Sequence, residues 1–89
     1  MTYQLELSGQ AIKDIDFHKK TGNRALLKKL FQLLEELTEH PYSGSGKPEQ
    51  LKHNLTGFWS RRINHEHRLV YKILENQTVR VYSAKGHYL

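Results

Sequence analysis

A stripe of leucines in the first half of the chain is the feature that most constrains the fold. The leucines are spaced three and four residues apart, which is the period of one face of an α-helix. They are Leu26, Leu27, Leu30, Leu33, Leu34 and Leu37. The spacing predicts a helix over residues 23–40 that packs its leucine face into a core. The helix should end at the His40-Pro41 step, because proline disfavours a helical conformation in the residue before it.

A strand and a shorter helix are expected ahead of this helix. Apolar and polar residues alternate over residues 3–7, which is typical of a half-buried strand. Ser8 is a residue type that caps helices. We therefore expect a helix from there to about Lys20, before a Thr-Gly-Asn break at residues 21–23. Its buried face is expected to contain Ala11, Ile12 and Ile15.

The second half of the chain has the short alternating segments and turn residues of β-strands. The expected strands are 51–55, 58–64, 67–74 and 78–84. The order β-α-α-β-β-β-β predicts an α+β fold, with two N-terminal helices packed on one face of a mainly antiparallel sheet. The other face can then be polar and open to solvent. At 89 residues, we expect one domain spanning residues 1–89.

Positive charge is concentrated in the second half of the chain. Residues 1–46 contain equal numbers of basic and acidic residues, so residues 47–89 carry the whole formal net charge of +5. The arginines of this half are interleaved with aromatic residues. A basic half of this composition predicts a polyanionic partner, most simply nucleic acid.

Several other classes of protein are disfavoured by the sequence. No apolar run is long enough for a transmembrane helix, and the N-terminus lacks the pattern of a signal peptide. The absence of cysteine excludes disulfides and thiolate metal sites and fits the cytoplasm. The glycines of residues 42–48 lack the spacing of a phosphate-binding loop, and His53, His65 and His67 lack a recognised zinc spacing. We expect no cofactor and no metal.

Residues 46–71 form a segment, here called the tract, that is rich in charged side chains and histidines. It reads GKPEQLKHNLTGFWSRRINHEHRLVY. Cleavage of a phosphodiester without a metal needs a group that takes a proton, a group that gives one, and cations that neutralise the phosphate. Glu49, which lies among lysines and arginines, is a candidate base, although a solvated salt-bridged carboxylate is the alternative interpretation. Near the end of the chain, the imidazole of His87 suits a general acid. Tyr88 could stack on a base or bond to a phosphate.

Strand register decides which arginines can share one site. Arg61 and Arg62 point to opposite faces of a strand because side chains alternate. A two-residue turn at His65-Glu66 would place Arg68 with Arg61, and a change of one residue in the turn would place it with Arg62 instead. The sequence leaves both arrangements open.

The tract resembles the GKPE-LKH-GxWSRRI-EHRLVY signature of the YoeB/Txe toxins, which are mRNA-cleaving members of the RelE toxin superfamily. The resemblance implies a compact fold like that of the microbial ribonucleases. It also implies metal-independent cleavage of mRNA in the ribosomal A site through the ribose 2′-OH. The implied partners are mRNA, the ribosome and a cognate antitoxin of the YefM/Axe type, and such toxins are often dimers.

The resemblance also implies roles for individual residues. The general base of the family falls on Glu49, its transition-state arginine on Arg68, its general acid on His87 and its terminal tyrosine on Tyr88. Lys85 stands where relatives often carry an arginine that contacts phosphate. The residues expected to contact RNA are Lys47, Lys52, Arg61, Arg62 and Lys85.

Two other functions stay open at the level of sequence. One is a non-catalytic basic module that binds RNA or ribosomes and inhibits translation by occupancy. Glu49 argues against it, because a pure binding protein has little use for a carboxylate inside its basic patch. The other is a metal-dependent nuclease, which the lack of a zinc spacing disfavours.

Overall fold

The computed structural model describes residues 2–86, and its elements follow the order β-α-α-β-β-β-β. They are β1 Gln4–Leu7, α1 Gly9–Thr21, α2 Arg24–Leu37, β2 Glu49–Gln50, β3 Phe58–Arg62, β4 Arg68–Leu74 and β5 Thr78–Ser83. The strands form one sheet in the order β1-β5-β4-β3-β2. β1 runs parallel to β5, and the other pairs are antiparallel. The predicted α+β class and element order are confirmed. Among residues 2–86, neither helix is long and apolar enough to cross a membrane.

Local side-chain chemistry sets the ends of the two helices. Ser8 Oγ accepts a hydrogen bond from the Ala11 N–H at 3.0 Å, which satisfies one of the unpaired donors of the first turn and confirms the predicted cap. Gly22 ends α1 in the left-handed conformation, with φ 72°. The second helix ends at Leu37, three residues before the expected end. The Thr38 hydroxyl donates to the Glu35 carbonyl at 2.7 Å, a local bond that competes with continuation of the helix.

The leucine stripe packs against the sheet, as predicted. Five of its six members are buried and the sixth, Leu27, is half-buried. The sheet contributes Leu69, Tyr71, Val79 and Val81 to the same core.

The predicted apolar face of α1 needs one correction. Ile12 is 55% exposed. The buried stripe of this helix is centred on the side of Ala11, and Ile12, the next residue, is rotated about 100° around the helix axis from Ala11, towards solvent. The buried members are Ala11, Asp14, Ile15 and His18.

The expected strand at residues 51–55 is also wrong. The chain pairs with β3 two residues earlier, at Glu49–Gln50, and His53–Leu55 form a single 3-10 turn. His53 adopts a positive φ of 60°, which is uncommon for a residue with a side chain and incompatible with a continuing strand.

The hairpin between β3 and β4 resolves the register that the sequence left open. Arg62 lies directly opposite Arg68, so the connection is longer than a two-residue turn. Asn64 stabilises the connection, because its side-chain oxygen accepts from the backbone N–H groups of Glu66 and His67, both at 2.8 Å. Arg62 and Arg68 therefore share one face of the sheet, away from the helices.

Candidate active site on the open face of the sheet

One carboxylate and three cations meet on the face of the sheet that the helices leave open. Glu49 pairs with Ser60 across β2 and β3, so it lies on the same face as Arg62, two residues further along β3. Arg68 lies opposite Arg62 on β4. With Lys47 and Pro48, these residues line a cavity of about 440 Å³, which is within the range of about 300–1,000 Å³ for ligand sites. The sequence singled out all four charged residues, and the fold brings them together.

The loop of residues 42–48, here called the glycine loop, is hydrogen-bonded to β3 and holds Lys47 at the edge of this cavity. The Gly46 carbonyl accepts a hydrogen bond from the Arg62 N–H at 2.7 Å. Gly46 has φ +79°, and a Cβ there would come within 2.8 Å of the Arg62 carbonyl oxygen. Glycine is therefore required for this close approach, which sets the path of the chain into β2.

Arg61 does not belong to the cavity, and the prediction that it contacts RNA is wrong. Its side chain faces the helices and is fully buried. The guanidinium donates to Tyr71 Oη at 3.1 Å, to Glu36 Oε1 at 2.9 Å and to the carbonyls of His40 and Ser43. Side chains alternate along a strand, so when Arg62 faces solvent Arg61 must face the core. The hydrogen bonds of Arg61 to the His40 and Ser43 carbonyls hold the segment that follows α2 against β3.

Glu36 completes this buried network from the helix side. Its carboxylate accepts hydrogen bonds from the Ser45 N–H and Ser45 Oγ, both at 2.8 Å. Burial by itself raises the pKa of Glu36, but the bonds from Ser45 and Gln32 and the charge of Arg61 outweigh it, so the pKa is lowered. Burial raises the pKa of the Tyr71 hydroxyl, which donates to the Pro41 carbonyl at 2.9 Å. The network stabilises the loop that presents Lys47 and Glu49.

The remaining predicted contacts lie beside the cavity or outside it. Lys52 and Glu49 line an adjoining cavity of about 290 Å³, so Glu49 stands between two concave surfaces. Lys85 is exposed, and its ammonium lies 3.9 Å from the centroid of the Phe17 ring on α1. Its role as an RNA contact stays a prediction. Within residues 2–86, no three His, Asp or Glu side chains are grouped closely enough to hold a metal ion.

The predicted acid His87 and the predicted Tyr88 lie outside the described residues. The described chain ends at Gly86, whose carbonyl accepts a hydrogen bond from the Arg68 N–H at 2.9 Å. The backbone that leads to His87 therefore passes beside the arginine that lines the cavity.

Sequence reasoning missed a group of polar residues behind this last segment. Asp14 and His18 are buried on α1, and His67 lies in the hairpin connection. A signal was present: the spacing that buries Ala11 and Ile15 also places Asp14 and His18 on the same stripe, and polar residues on a buried stripe need partners.

The environment of His67 favours its neutral form. Burial lowers the pKa of His67 and the nearby His18 lowers it further; Glu66 opposes the shift, whereas Lys85 and His65 add to it. In the structure His67 Nδ1 accepts a hydrogen bond from the Gly86 N–H at 2.9 Å, which requires that nitrogen to carry no proton.

His67 should make the protein less stable in mild acid. An unfolded histidine has a pKa of about 6.5, and the folded value is lower. The unfolded state therefore binds more protons than the folded state as the pH approaches and passes below that value, and the free energy of unfolding falls as the pH decreases below about 7. His67→Asn, whose side-chain oxygen can accept the same bond without titrating, should show a smaller fall in urea denaturation. His65→Asn, at an exposed site in the same connection, should stay close to wild type, because His65 is the smallest of the causes that lower the pKa of His67. An equal fall in His67→Asn and wild type would contradict this.

Comparison with known proteins places the chain in a family. Residues 7–88 match the family described as the YoeB-like toxin of bacterial type II toxin-antitoxin systems. The chain belongs to the YoeB family of toxins. The curated toxin YoeB of Escherichia coli (strain K12) is 41% identical over 81 residues, which cover 91% of this chain and 94% of that protein.

Solved structures of YoeB proteins share the fold. A YoeB dimer from Staphylococcus aureus is 39% identical with a TM-score of 0.82, and a YoeB–YefM complex from the same organism is 40% identical with a TM-score of 0.81. Each alignment covers 99% of this chain and 100% of the other. The resemblance to YoeB toxins and their RelE-like fold, inferred from residues 46–71, is confirmed.

Proposed function

We propose that this YoeB-family toxin is a ribosome-dependent endoribonuclease that cleaves mRNA in the A site by general acid–base transesterification, without a metal. The observation that carries the proposal is the cavity in which Glu49 stands beside Lys47, Arg62 and Arg68. A base next to three cations is the arrangement that attack on a phosphodiester by a neighbouring hydroxyl requires.

Glu49 takes the proton of the ribose 2′-OH in this scheme. The 2′-oxygen attacks phosphorus, and the bond from phosphorus to the 5′-oxygen breaks. The products are a 2′,3′-cyclic phosphate and a 5′-hydroxyl. Glu49 is exposed at the rim of the cavity, so its carboxylate is accessible to a nucleotide. The ribosome contributes by holding the 2′-OH in line with the leaving group.

Arg68 and Arg62 stabilise the negative charge on the phosphate oxygens. They stand opposite each other on adjacent strands, so two guanidinium groups can approach one phosphate from neighbouring positions. A guanidinium can donate two parallel hydrogen bonds to a phosphate, which orients as well as neutralises it. Lys47 adds a third charge, and Lys52 extends the basic surface on the other side of Glu49.

His87 gives its proton to the 5′-oxygen leaving group, and Tyr88 stacks on a base or bonds to a phosphate. These roles follow from the family resemblance and from the chemistry of the two side chains. The position of Gly86 beside Arg68 supports them, because His87 follows Gly86 directly in the chain.

The partner that controls this activity is a cognate antitoxin of the YefM type. The Staphylococcus aureus relative has been solved in complex with YefM and as a dimer. The basic open face of the sheet suits an acidic antitoxin segment, which would cover the cavity and exclude RNA. We propose that the complex contains two copies of this toxin.

A programmed ribosome provides the direct test. We expect purified protein to cut mRNA in the A site and leave a 2′,3′-cyclic phosphate, and a message with a 2′-deoxy nucleotide at the scissile position to stay intact. Cleavage should persist after a chelator has stripped protein-bound metals, with Mg²⁺ kept for the ribosome. Glu49→Gln should slow cleavage by roughly 10²–10⁴-fold. Glu66→Gln, the same change at an exposed site outside the cavity, should not.

Two results would exclude the proposal. Intact message on stalled ribosomes would show inhibition by occupancy, which is the function of a non-catalytic RNA-binding module. Cutting of the 2′-deoxy message would show that the ribose hydroxyl is not the nucleophile.

A further inference from the structure

Three polar side chains grip the backbone just before the end of the described chain. Asp14 Oδ2 accepts a hydrogen bond from the Ala84 N–H at 2.9 Å, and His18 Nε2 donates to the Ala84 carbonyl at 2.7 Å. His67 Nδ1 accepts from the Gly86 N–H at 2.9 Å. The rings of His18 and His67 meet edge to face, with centroids 4.7 Å apart. We call Asp14, His18 and His67 the tail clamp.

The clamp begins where the sheet stops holding the chain. β5 ends at Ser83, and its ladder with β4 is irregular, with a register shift between Val70 and Tyr71. Beyond that point both backbone groups of Ala84 are bonded to side chains of α1 rather than to a strand. Gly86 then turns with φ +71°, and its carbonyl accepts from the Arg68 N–H.

Burying the polar side chains of Asp14 and His18 costs free energy unless their polar atoms are hydrogen-bonded. Asp14 is 4% exposed and His18 is 1% exposed. Apolar residues at these positions would fill the same stripe of α1 without the cost of removing polar groups from water. The carboxylate of Asp14 is bonded at both oxygens, because the second oxygen accepts from Gln10 Nε2 at 2.8 Å. Buried hydrogen bonds of this kind do more to fix the path of the backbone than to raise the free energy of unfolding.

The hydrogen bonds also define the protonation of both rings. A carbonyl can only accept, so His18 must carry its hydrogen on Nε2. The Gly86 N–H can only donate, so His67 Nδ1 must be bare. The ring nitrogen that makes each of these bonds is committed to the backbone of residues 84–86.

We propose that Asp14, His18 and His67 are positioning residues of the nuclease: they hold residues 84–86 next to Arg68, and the action of His87 depends on them because His87 follows Gly86 directly in the chain. The proposal rests on the proposed function, in which His87 is the general acid. Consecutive Cα atoms are about 3.8 Å apart, so fixing Gly86 restricts where His87 can begin.

Paired variants separate the hydrogen bonds from the bulk of the side chains. Asp14→Leu and His67→Leu remove the acceptors, whereas Asp14→Asn and His67→Asn keep an oxygen that can accept. Asp16→Leu and His65→Leu make the same changes at exposed positions two residues away. Single-turnover cleavage on programmed ribosomes gives the rate, ribosome binding gives the affinity, and urea unfolding shows that each variant is folded.

We expect Asp14→Leu and His67→Leu to lower the single-turnover rate by about 10- to 100-fold, which is the effect expected when a reacting group is displaced by about 1 Å. The affinity for the ribosome should not change. The asparagine variants should keep most of the rate, and the exposed controls should match wild type. In a His87→Ala background, His67→Leu and Asp14→Leu should cause no further loss, because the clamp acts only through residue 87.

Each contrary result has a distinct meaning. An unchanged rate in a folded clamp-breaking variant, or the same fold-loss with and without His87, would overturn the positioning role. If Asp14→Leu does not fold, the half-buried His67→Leu decides the question. If His87→Ala cleaves at the wild-type rate, His87 is not the general acid and the clamp has no such residue to position. If the wild-type protein does not cleave at all, the proposed function itself is rejected.

Discussion

Replacement of Arg61 by leucine is expected to lower the free energy of unfolding by about 3 kcal/mol, whereas the same change at Arg62 alters it by only about 0.5 kcal/mol. Arg61 is fully buried and donates four hydrogen bonds, to Tyr71, Glu36 and two carbonyls. Leucine leaves those carbonyls and the Glu36 carboxylate without their donor. We place the effect at the low end of the range of about 3–5 kcal/mol for breaking a buried pair, because Glu36 keeps its bonds from Ser45.

Urea and thermal unfolding measure this effect. In a domain of this size, each kcal/mol lowers the melting temperature by about 4–8 °C, so the difference between the two neighbouring arginines should be plain. The double variant Arg61→Leu/Glu36→Leu should be less destabilised than the sum of its parts, because no carboxylate is then left without its partner. Equal stabilities for the leucine variants at 61 and 62 would contradict the buried network.

Replacement of Arg68 by alanine is expected to slow cleavage on programmed ribosomes by about 10²–10³-fold, which is the usual effect of removing one donor that stabilises transition-state charge. Arg68→Lys should recover only part of the rate, because an ammonium keeps the charge but loses the planar pair of donors. The fall should be in the single-turnover rate at saturating ribosomes, since the interaction strengthens as the phosphate gains charge.

Arg80 provides the matched control for Arg68. It lies on the same open face and is paired with Glu6 at 2.9 Å, outside the cavity. Arg80→Ala removes the same charge from the protein, so it should change ribosome affinity at most and leave the single-turnover rate near that of wild type. Wild-type cleavage by Arg68→Ala would show that this arginine does not stabilise the transition state.

Local pattern was enough to predict the fold. The leucine stripe, the alternation of residues 3–7 and the cap at Ser8 depend on residues within a turn or two of each other, and all three are seen in the structure. Two of the local errors, the buried placement of Ile12 and the strand at residues 51–55, arose where tertiary packing outweighed an apolar pattern.

The candidate site was predictable in composition but not in arrangement. Glu49, Lys47 and Arg68 were identified from residues 46–71, and the structure brings them into one cavity. The division of labour between Arg61 and Arg62 was not predictable, because it depends on the number of residues in a connection that pairs two strands. A shift of one residue exchanges the two faces.

The sequence by itself determined the order of elements, the leucine face of the core and the candidate groups for phosphodiester cleavage. These follow from periodicity and residue type, which are properties of neighbouring residues. Only the tertiary structure decided that Arg62 faces the cavity, that Arg61 is a buried support, and that Asp14, His18 and His67 hold the segment before His87. Those facts depend on contacts between residues far apart in the chain, where strand register and helix packing determine which side chains meet.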